Sequence, residues 1–188
     1  MTDEKLDVVG IGNALVDVLS HAEDDFLVKE DLVKGSMMLI EADRAESLYG
    51  AMGPGVEMSG GSAGNTMAGL ASLGSKGGYI GKVRDDQLGR VFAHDLRAMG
   101  LEFTTQMEAE DGEPTGRCLI LVTPDAERTM NTYLGAATML TPDDIDEDQI
   151  ARAKVTYMEG YLWDREGAKE AFRKAARVAH DAGQKVSL

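Results

Sequence analysis

Short apolar runs and helical stripes alternate along this chain, and the alternation sets out its elements. Leu6-Asp7-Val8-Val9-Gly10-Ile11-Gly12 reads as a buried strand, because β-branched residues run up to a glycine stop. Val16-Asp17-Val18-Leu19 continues in extended form. Residues 24–30 predict a short helix with an acidic start, and residues 36–40 a further strand. Asp43 is placed to cap a helix over 44–52, which Gly53-Pro54-Gly55 stops. Ser59-Gly60-Gly61-Ser62-Ala63-Gly64-Asn65 reads as a glycine-rich turn feeding a small-residue helix over 66–73, closed by Gly74. Residues 76–83 predict a strand. Residues 86–99 predict an amphipathic helix, with Leu88, Val91, Phe92, Leu96 and Met99 at helical spacing and Gly100 as its stop.

The second half repeats the pattern. After an acidic loop over 108–114, two strands over 115–122 and 128–133 flank Thr123-Pro124-Asp125-Ala126-Glu127, a hairpin-type connection. Thr141-Pro142-Asp143-Asp144 is a helix start with proline at the first helical position. A strand over 155–158, a long amphipathic helix over 165–182 and a strand from 185 follow. Strands alternating with helices predict an α/β fold built of βαβ units on a parallel sheet. The segments near 14–20, 35–41, 115–123 and 127–134 stand apart, since no helix separates the last two. They predict a small antiparallel patch, such as a lid. The chain stops within a strand that follows a helix, so it is expected to be the N-terminal part of something longer.

Composition narrows the partners. The 188 residues carry 19 Lys+Arg against 33 Asp+Glu, a formal charge of −14. Such a chain is repelled by nucleic acid and by anionic membrane surfaces, both of which need clustered basic residues. Hydrophobic residues make up 43%, which supports a packed core rather than wholesale disorder. The single cysteine, Cys118, allows no internal disulfide, and His21, His94 and His180 are too far apart in sequence for a short metal-ligand motif, so no metal site is expected. Residues 1–7 are polar and resemble no signal peptide, and no apolar run approaches the roughly 20 residues of a membrane span. A cytoplasmic protein is expected.

Several residues can carry chemistry. The glycines at 60, 61 and 64 let backbone approach a ligand, and amides at a helix start favour anions or hydroxyl oxygens. Asn65 both donates and accepts, which suits reading vicinal hydroxyls. The same residues also make a plain tight turn with a capping Asn. No Gly-Lys-Ser/Thr follows, so the phosphate-loop pattern is absent, and Gly10-Ile11-Gly12 lacks the third glycine of a dinucleotide fingerprint. Asp17, inside an apolar stretch, either turns to solvent or is held in a site, because an unpaired buried charge is costly. Asn13 follows the first strand at its carboxyl end, where ligands of open α/β sheets collect. Arg128 can clamp a phosphate oxygen or pair with Asp125 or Glu127. Asp85 and Asp86 can bind a metal or, more simply, cap a helix. Cys118 and the 11 methionines read as packing groups. Tyr161 and Trp163 can stack on a flat ligand or pack beneath a loop.

Together these segments resemble the ribokinase-like (PfkB) family of sugar and nucleoside kinases. The resemblance rests on Gly12-Asn13-Ala14-Leu15-Val16-Asp17, on Ser59 to Asn65 followed by Ala68, Leu70, Ala71, Leu73 and Gly74, and on Gly81-Lys82-Val83-Arg84-Asp85-Asp86-Gln87-Leu88-Gly89. In the last, Arg84 stands where the family pattern has glycine. Pro114-Thr115-Gly116, Arg128-Thr129 and Gly160-Tyr161-Leu162 follow in the family's order. Asp24-Asp25-Phe26-Leu27, Pro114-Thr115-Gly116-Arg117-Cys118 and Leu134-Gly135-Ala136-Ala137 look most like the adenosine-kinase branch.

The resemblance implies a Rossmann-like, three-layer α/β/α parallel sheet with an antiparallel β lid, and a sugar or nucleoside as acceptor. It implies that Asp17 and Asn65 hold acceptor hydroxyls, with Asn13, Gly60, Gly61 and Ser62 around them. Leu15, Met38, Cys118, Met130, Thr132 and Leu162 would line the pocket, and Arg128 would face the transferred phosphate. ATP and Mg²⁺ are implied as cofactors, and the lid as a possible homodimer interface. The family's base is an Asp in a D-T-x-G-A-G-D motif, which this sequence lacks. The base is therefore expected beyond Leu188, and the chain alone is expected to be inactive. A non-catalytic sugar- or nucleoside-binding module, or an interaction domain that dimerises through its lid strands, are the other readings.

Overall fold

A computed structural model describes residues 5–188. The polar start read over 1–7 includes residues 1–4, which lie outside the described residues. In chain order the elements are β1 (Leu6–Ile11), β2 (Leu15–His21), α1 (Asp24–Lys29), β3 (Met37–Leu39), α2 (Ala42–Ala51), β4 (Gly55–Gly60) and α3 (Ser62–Ser72). Then come β5 (Gly77–Ile80), α4 (Gln87–Ala98), β6 (Glu102–Phe103), β7 (Gly116–Val122) and β8 (Arg128–Tyr133). The chain continues through α5 (Glu147–Arg152), β9 (Ala153–Met158), α6 (Glu166–Asp181) and β10 (Lys185–Ser187).

Two sheets form. The first has the order β10-β9-β1-β5-β6, and every pairing in it is parallel. Helices cover both of its faces, as the expected three-layer α/β/α architecture requires. On one face Val9, Ile11, Ile150, Ala171 and Phe172 form a core under α5 and α6. On the other, Met67 of α3 and Phe92 and Leu96 of α4 pack with Tyr79 and Phe103. Phe92 stands edge-on to Phe103, with ring centroids 5.5 Å apart.

The second sheet has the order β3-β8-β7-β2-β4. It occupies the segments expected to make the lid, but it is mixed rather than antiparallel throughout. β7 with β8 and β2 with β4 are antiparallel, whereas β2 with β7 and β3 with β8 are parallel. The physical reason is the connection length. A tight turn between β7 and β8 forces reversal, while half of the chain separates β2 from β7 and leaves their direction free. Val16, Val18 and Leu119 of this sheet share a core with Leu48 of α2 and Phe92 of α4, so α4 packs on both sheets.

Four local expectations are corrected. Residues 55–60 form a strand, so Ser59 to Asn65 is a strand end running straight into a helix, with Gly61 as its N-cap at φ +80°. Asn65 lies in the first turn of that helix, its N–H donating to the Gly61 carbonyl at 2.8 Å, and is not a cap. Helix α2 begins at Ala42 after Glu41, which leaves Asp43 inside its first turn, where its charge favours the dipole. The Thr141-Pro142 start yields only a single 3-10 turn, Pro142–Asp144; α5 starts anew behind Asp146, whose carboxylate accepts from the Gln149 N–H.

Candidate functional site

The carboxyl ends of β1 and β9, the β2 face and the start of α3 converge on one place. Chain direction explains why. β1 ends at Ile11, turns at Gly12 and Asn13, and re-enters as β2 in the lid sheet. That turn sits where a parallel sheet gathers ligands. Gly12 has no room for a side chain there, since a Cβ would strike Ala63 and the Glu159 carboxylate.

Asp17 lies on β2, opposite Met58 of β4 and Cys118 of β7. Its carboxyl group rests over Gly60, where a Cβ would overlap it. Glycine is therefore needed at 60 for close approach rather than for a turn. Burial raises the Asp17 carboxyl above its ordinary value, and the positive charge of Arg128 opposes that rise. No hydrogen bond to this carboxyl forms among the described residues, so its oxygens are open to a ligand's hydroxyls.

Alternation of side chains sorts the expected lining residues. Leu15, Asp17, Cys118, Met130, Thr132 and Arg128 share one face of the lid sheet by register. Thr132 Oγ1 donates to Cys118 Sγ at 3.2 Å. Burial, with Asp17's charge nearby, pushes the Cys118 thiol up to about 11, which suits a packing group. Arg128 is exposed and forms no ion pair among the described residues, because Lys34 takes Asp125 at 2.7 Å.

Two expected lining residues are elsewhere. Met38 pairs with Asn131, so it faces away from Met130 and Thr132 and is 45% exposed. Its neighbours Met37 and Leu39 hold the Asp17 face instead. Leu162, 4% exposed, belongs to the core beneath α6. Trp163 packs at a tilt against Phe172 with centroids 6.0 Å apart, and Tyr161 is exposed. Asp86 caps α4, accepting from the Gly89 N–H at 2.8 Å, while Asp85 pairs with Arg90. Ser62 and Asn65 are both exposed on the first turn of α3.

Glu159 is the residue that sequence reading missed. It is 3% exposed and sits just past β9. Its carboxylate accepts from the Asn13 backbone N–H and from Ser62 Oγ. One buried acid thus binds the β1–β2 turn to the start of α3, and holds Asn13 and Ser62 beside Asp17's face. The only trace in sequence is an acid between Met158 and Gly160 at a strand end.

Among the described residues no group of three or more His, Cys, Asp or Glu side chains is placed to hold a metal ion. No helix among them is long and apolar enough to cross a membrane.

The profile described as pfkB family carbohydrate kinase matches residues 31–188. A 5-dehydro-2-deoxygluconokinase of Halalkalibacterium halodurans is 27% identical over 187 residues, covering 98% of this chain and 50% of that protein. The enzyme of the same name from Clostridium perfringens is 34% identical over 129 residues, 68% of this chain and 38% of that one. The crystal structure of adenosine kinase from Sinorhizobium meliloti is 55% identical, with a TM-score of 0.87, covering 97% of this chain and 56% of that one. A probable sugar kinase from Rhizobium etli is 51% identical, with a TM-score of 0.88 over 97% of this chain and 55% of that one. The chain spans about half the length of the curated relatives it matches.

Proposed function

Because the chain belongs to the pfkB family of carbohydrate kinases, we propose that it forms the acceptor-binding part of an ATP-dependent kinase acting on a hydroxyl of a sugar or nucleoside. The observation that carries this reading is the Asp17 carboxyl, half-buried, open to a ligand and resting on Gly60 beside the first turn of α3. An ionised carboxylate there accepts hydrogen bonds from two neighbouring hydroxyls, and Asn65 supplies a donor and an acceptor from the helix. Arg128 brings positive charge to the same face, suited to a transferred phosphate. Lid strands over the acceptor keep water from the reaction.

ATP would supply the phosphoryl group, and the residues of this chain would orient its acceptor. The base that takes the acceptor's proton is proposed to lie outside this chain. The purified 188-residue chain is then expected to bind acceptor and not to phosphorylate it.

Adenosine is the favoured acceptor, since the 55% identical solved structure is that of an adenosine kinase. A sugar or sugar acid is the second reading, favoured by the curated relatives, which are 5-dehydro-2-deoxygluconokinases. Calorimetric titration with adenosine, ribose, fructose and 5-dehydro-2-deoxygluconate separates them. Adenosine binding supports the nucleoside reading. Binding of a sugar or sugar acid without adenosine rejects it in favour of the second. Binding of none of the four rejects both.

The same face leaves Val56, Met58, Met37 and Leu39 exposed, and this apolar strip supports the proposal that two copies meet through their lids. Sedimentation equilibrium tests it: a Val56→Lys variant is expected to be monomeric where the native protein dimerises.

A further inference from the structure

The other face of the lid sheet carries a second, unrelated constellation. Arg117 of β7 is the cross-strand partner of Tyr133 and points away from Asp17's side, being one residue from Cys118. Its guanidinium carbon lies 5.8 Å over the ring of Tyr49 in α2. Its Nε is buried and has no hydrogen-bond acceptor among the described residues. In a chain with a charge of −14, a half-buried arginine without a carboxylate is unexpected. The acids nearby are already engaged. Tyr49 donates its hydroxyl to Glu57 at 2.9 Å, and Tyr133 donates to Glu113 at 2.6 Å.

A cavity of about 220 Å³ opens beside Arg117. Arg84 enters it from the body, with Nε donating to Asp86 at 3.0 Å and Nη1 to the Gly112 carbonyl at 3.1 Å, which leaves Nη2 uncommitted. Asp86 is saturated, accepting also from the Gly89 N–H and from the N–H and hydroxyl of Thr115. Arg84 and Arg117 therefore line one space together with Glu57 and Asp86, carboxylates that already accept from other donors. The volume equals several water molecules, at about 30 Å³ each, enough for a tetrahedral anion with part of its hydration.

We propose that this cavity is a binding site for a phosphate-class oxyanion, held by Arg117 and Arg84 and separate from the acceptor face. Planar guanidinium groups match such oxygens in paired fashion. Arg117 comes from the lid sheet, whereas Arg84 precedes α4 in the body. A bound anion thus ties lid to body and stabilises one setting of the lid.

Thermal unfolding of the purified protein in inorganic phosphate, with chloride holding ionic strength constant, tests the site. The expected result is a saturable rise in Tm. In Arg117→Gln the phosphate midpoint should rise at least tenfold, and Arg117→Lys, which keeps charge without the planar fork, should also weaken binding. Arg173→Gln, at an exposed arginine of α6 paired with Glu166, should leave the midpoint unchanged. If Arg117→Gln does not fold by circular dichroism, the lysine variant decides. No saturable shift in the native protein, or a shift unchanged in the Arg117 variants, overturns the proposal. So does a shift lost in Arg173→Gln instead.

Discussion

The carboxyl group of Asp17 rests directly on Gly60, which lies diagonal to it across the β2–β4 pairing, and leaves no space for a Cβ there. An acid of β2 is therefore packed on the terminal glycine of β4. Gly60→Ala must swing the Asp17 side chain aside while the strand itself stays intact. Acceptor affinity should fall about tenfold, with Tm changed little, as read by calorimetry and circular dichroism on the same sample.

Asp17 itself should trade stability against binding. Burial raises its carboxyl above the ordinary value of 3.8. The folded state then binds this proton more tightly than the unfolded chain does. Its charge is a cost above the raised folded value, and that cost disappears as pH falls to the ordinary one. Asp17→Asn should raise Tm at pH 7, with the gain vanishing near pH 3. Acceptor binding has the opposite dependence in the native protein, weakening as pH falls through the raised value. A Tm scan of both proteins across pH 3–7 checks the sign.

Glu159 should be needed for the site's backbone. Glu159→Ala leaves the Asn13 N–H and the Ser62 hydroxyl without their acceptor. A loss of about 1–3 kcal/mol is expected from the stranded buried donor. Hydrogen exchange at the Asn13 amide should accelerate more than at residues of α6, which a merely global loss would not produce.

Lys82 and Asp144 form an ion pair at 2.5 Å, with side chains only 12% and 6% exposed. It ties the loop after β5 to the turn before α5. Lys82→Met should cost about 3–5 kcal/mol, because Asp144 is left buried without its cation. Adding Asp144→Leu should restore part of that stability. Urea midpoints for the single and double variants give the comparison.

The sheet and helices were legible because their residues repeat at the strand and helix periods. Val8, Val9 and Ile11 mark β1, and Leu88, Phe92 and Leu96 mark α4. Strand β4 was not legible, since glycines bound it at 55 and 60 and its outward Val56 and Met58 are exposed. Gly60 looked like a turn residue, and only the fold reveals Asp17 above it. Met38 was misplaced by a single residue of register, which moves a side chain to the other face. Glu159 was invisible for a different reason. Its partners lie 146 and 97 residues away in the chain, a separation that local pattern does not report.

The most direct measurement is an equilibrium titration of the native protein and Asp17→Asn with adenosine, alongside 2′-deoxyadenosine. The account predicts that native protein binds adenosine, and that loss of the carboxylate weakens it about ten- to a hundredfold, as expected for hydrogen bonds to a charged group. It also predicts that 2′-deoxyadenosine, which lacks one of the paired hydroxyls, binds the native protein more weakly and gains little from the Asp17 carboxylate. Equal affinity of the two proteins for adenosine would contradict the assignment of Asp17 as the group that holds the acceptor.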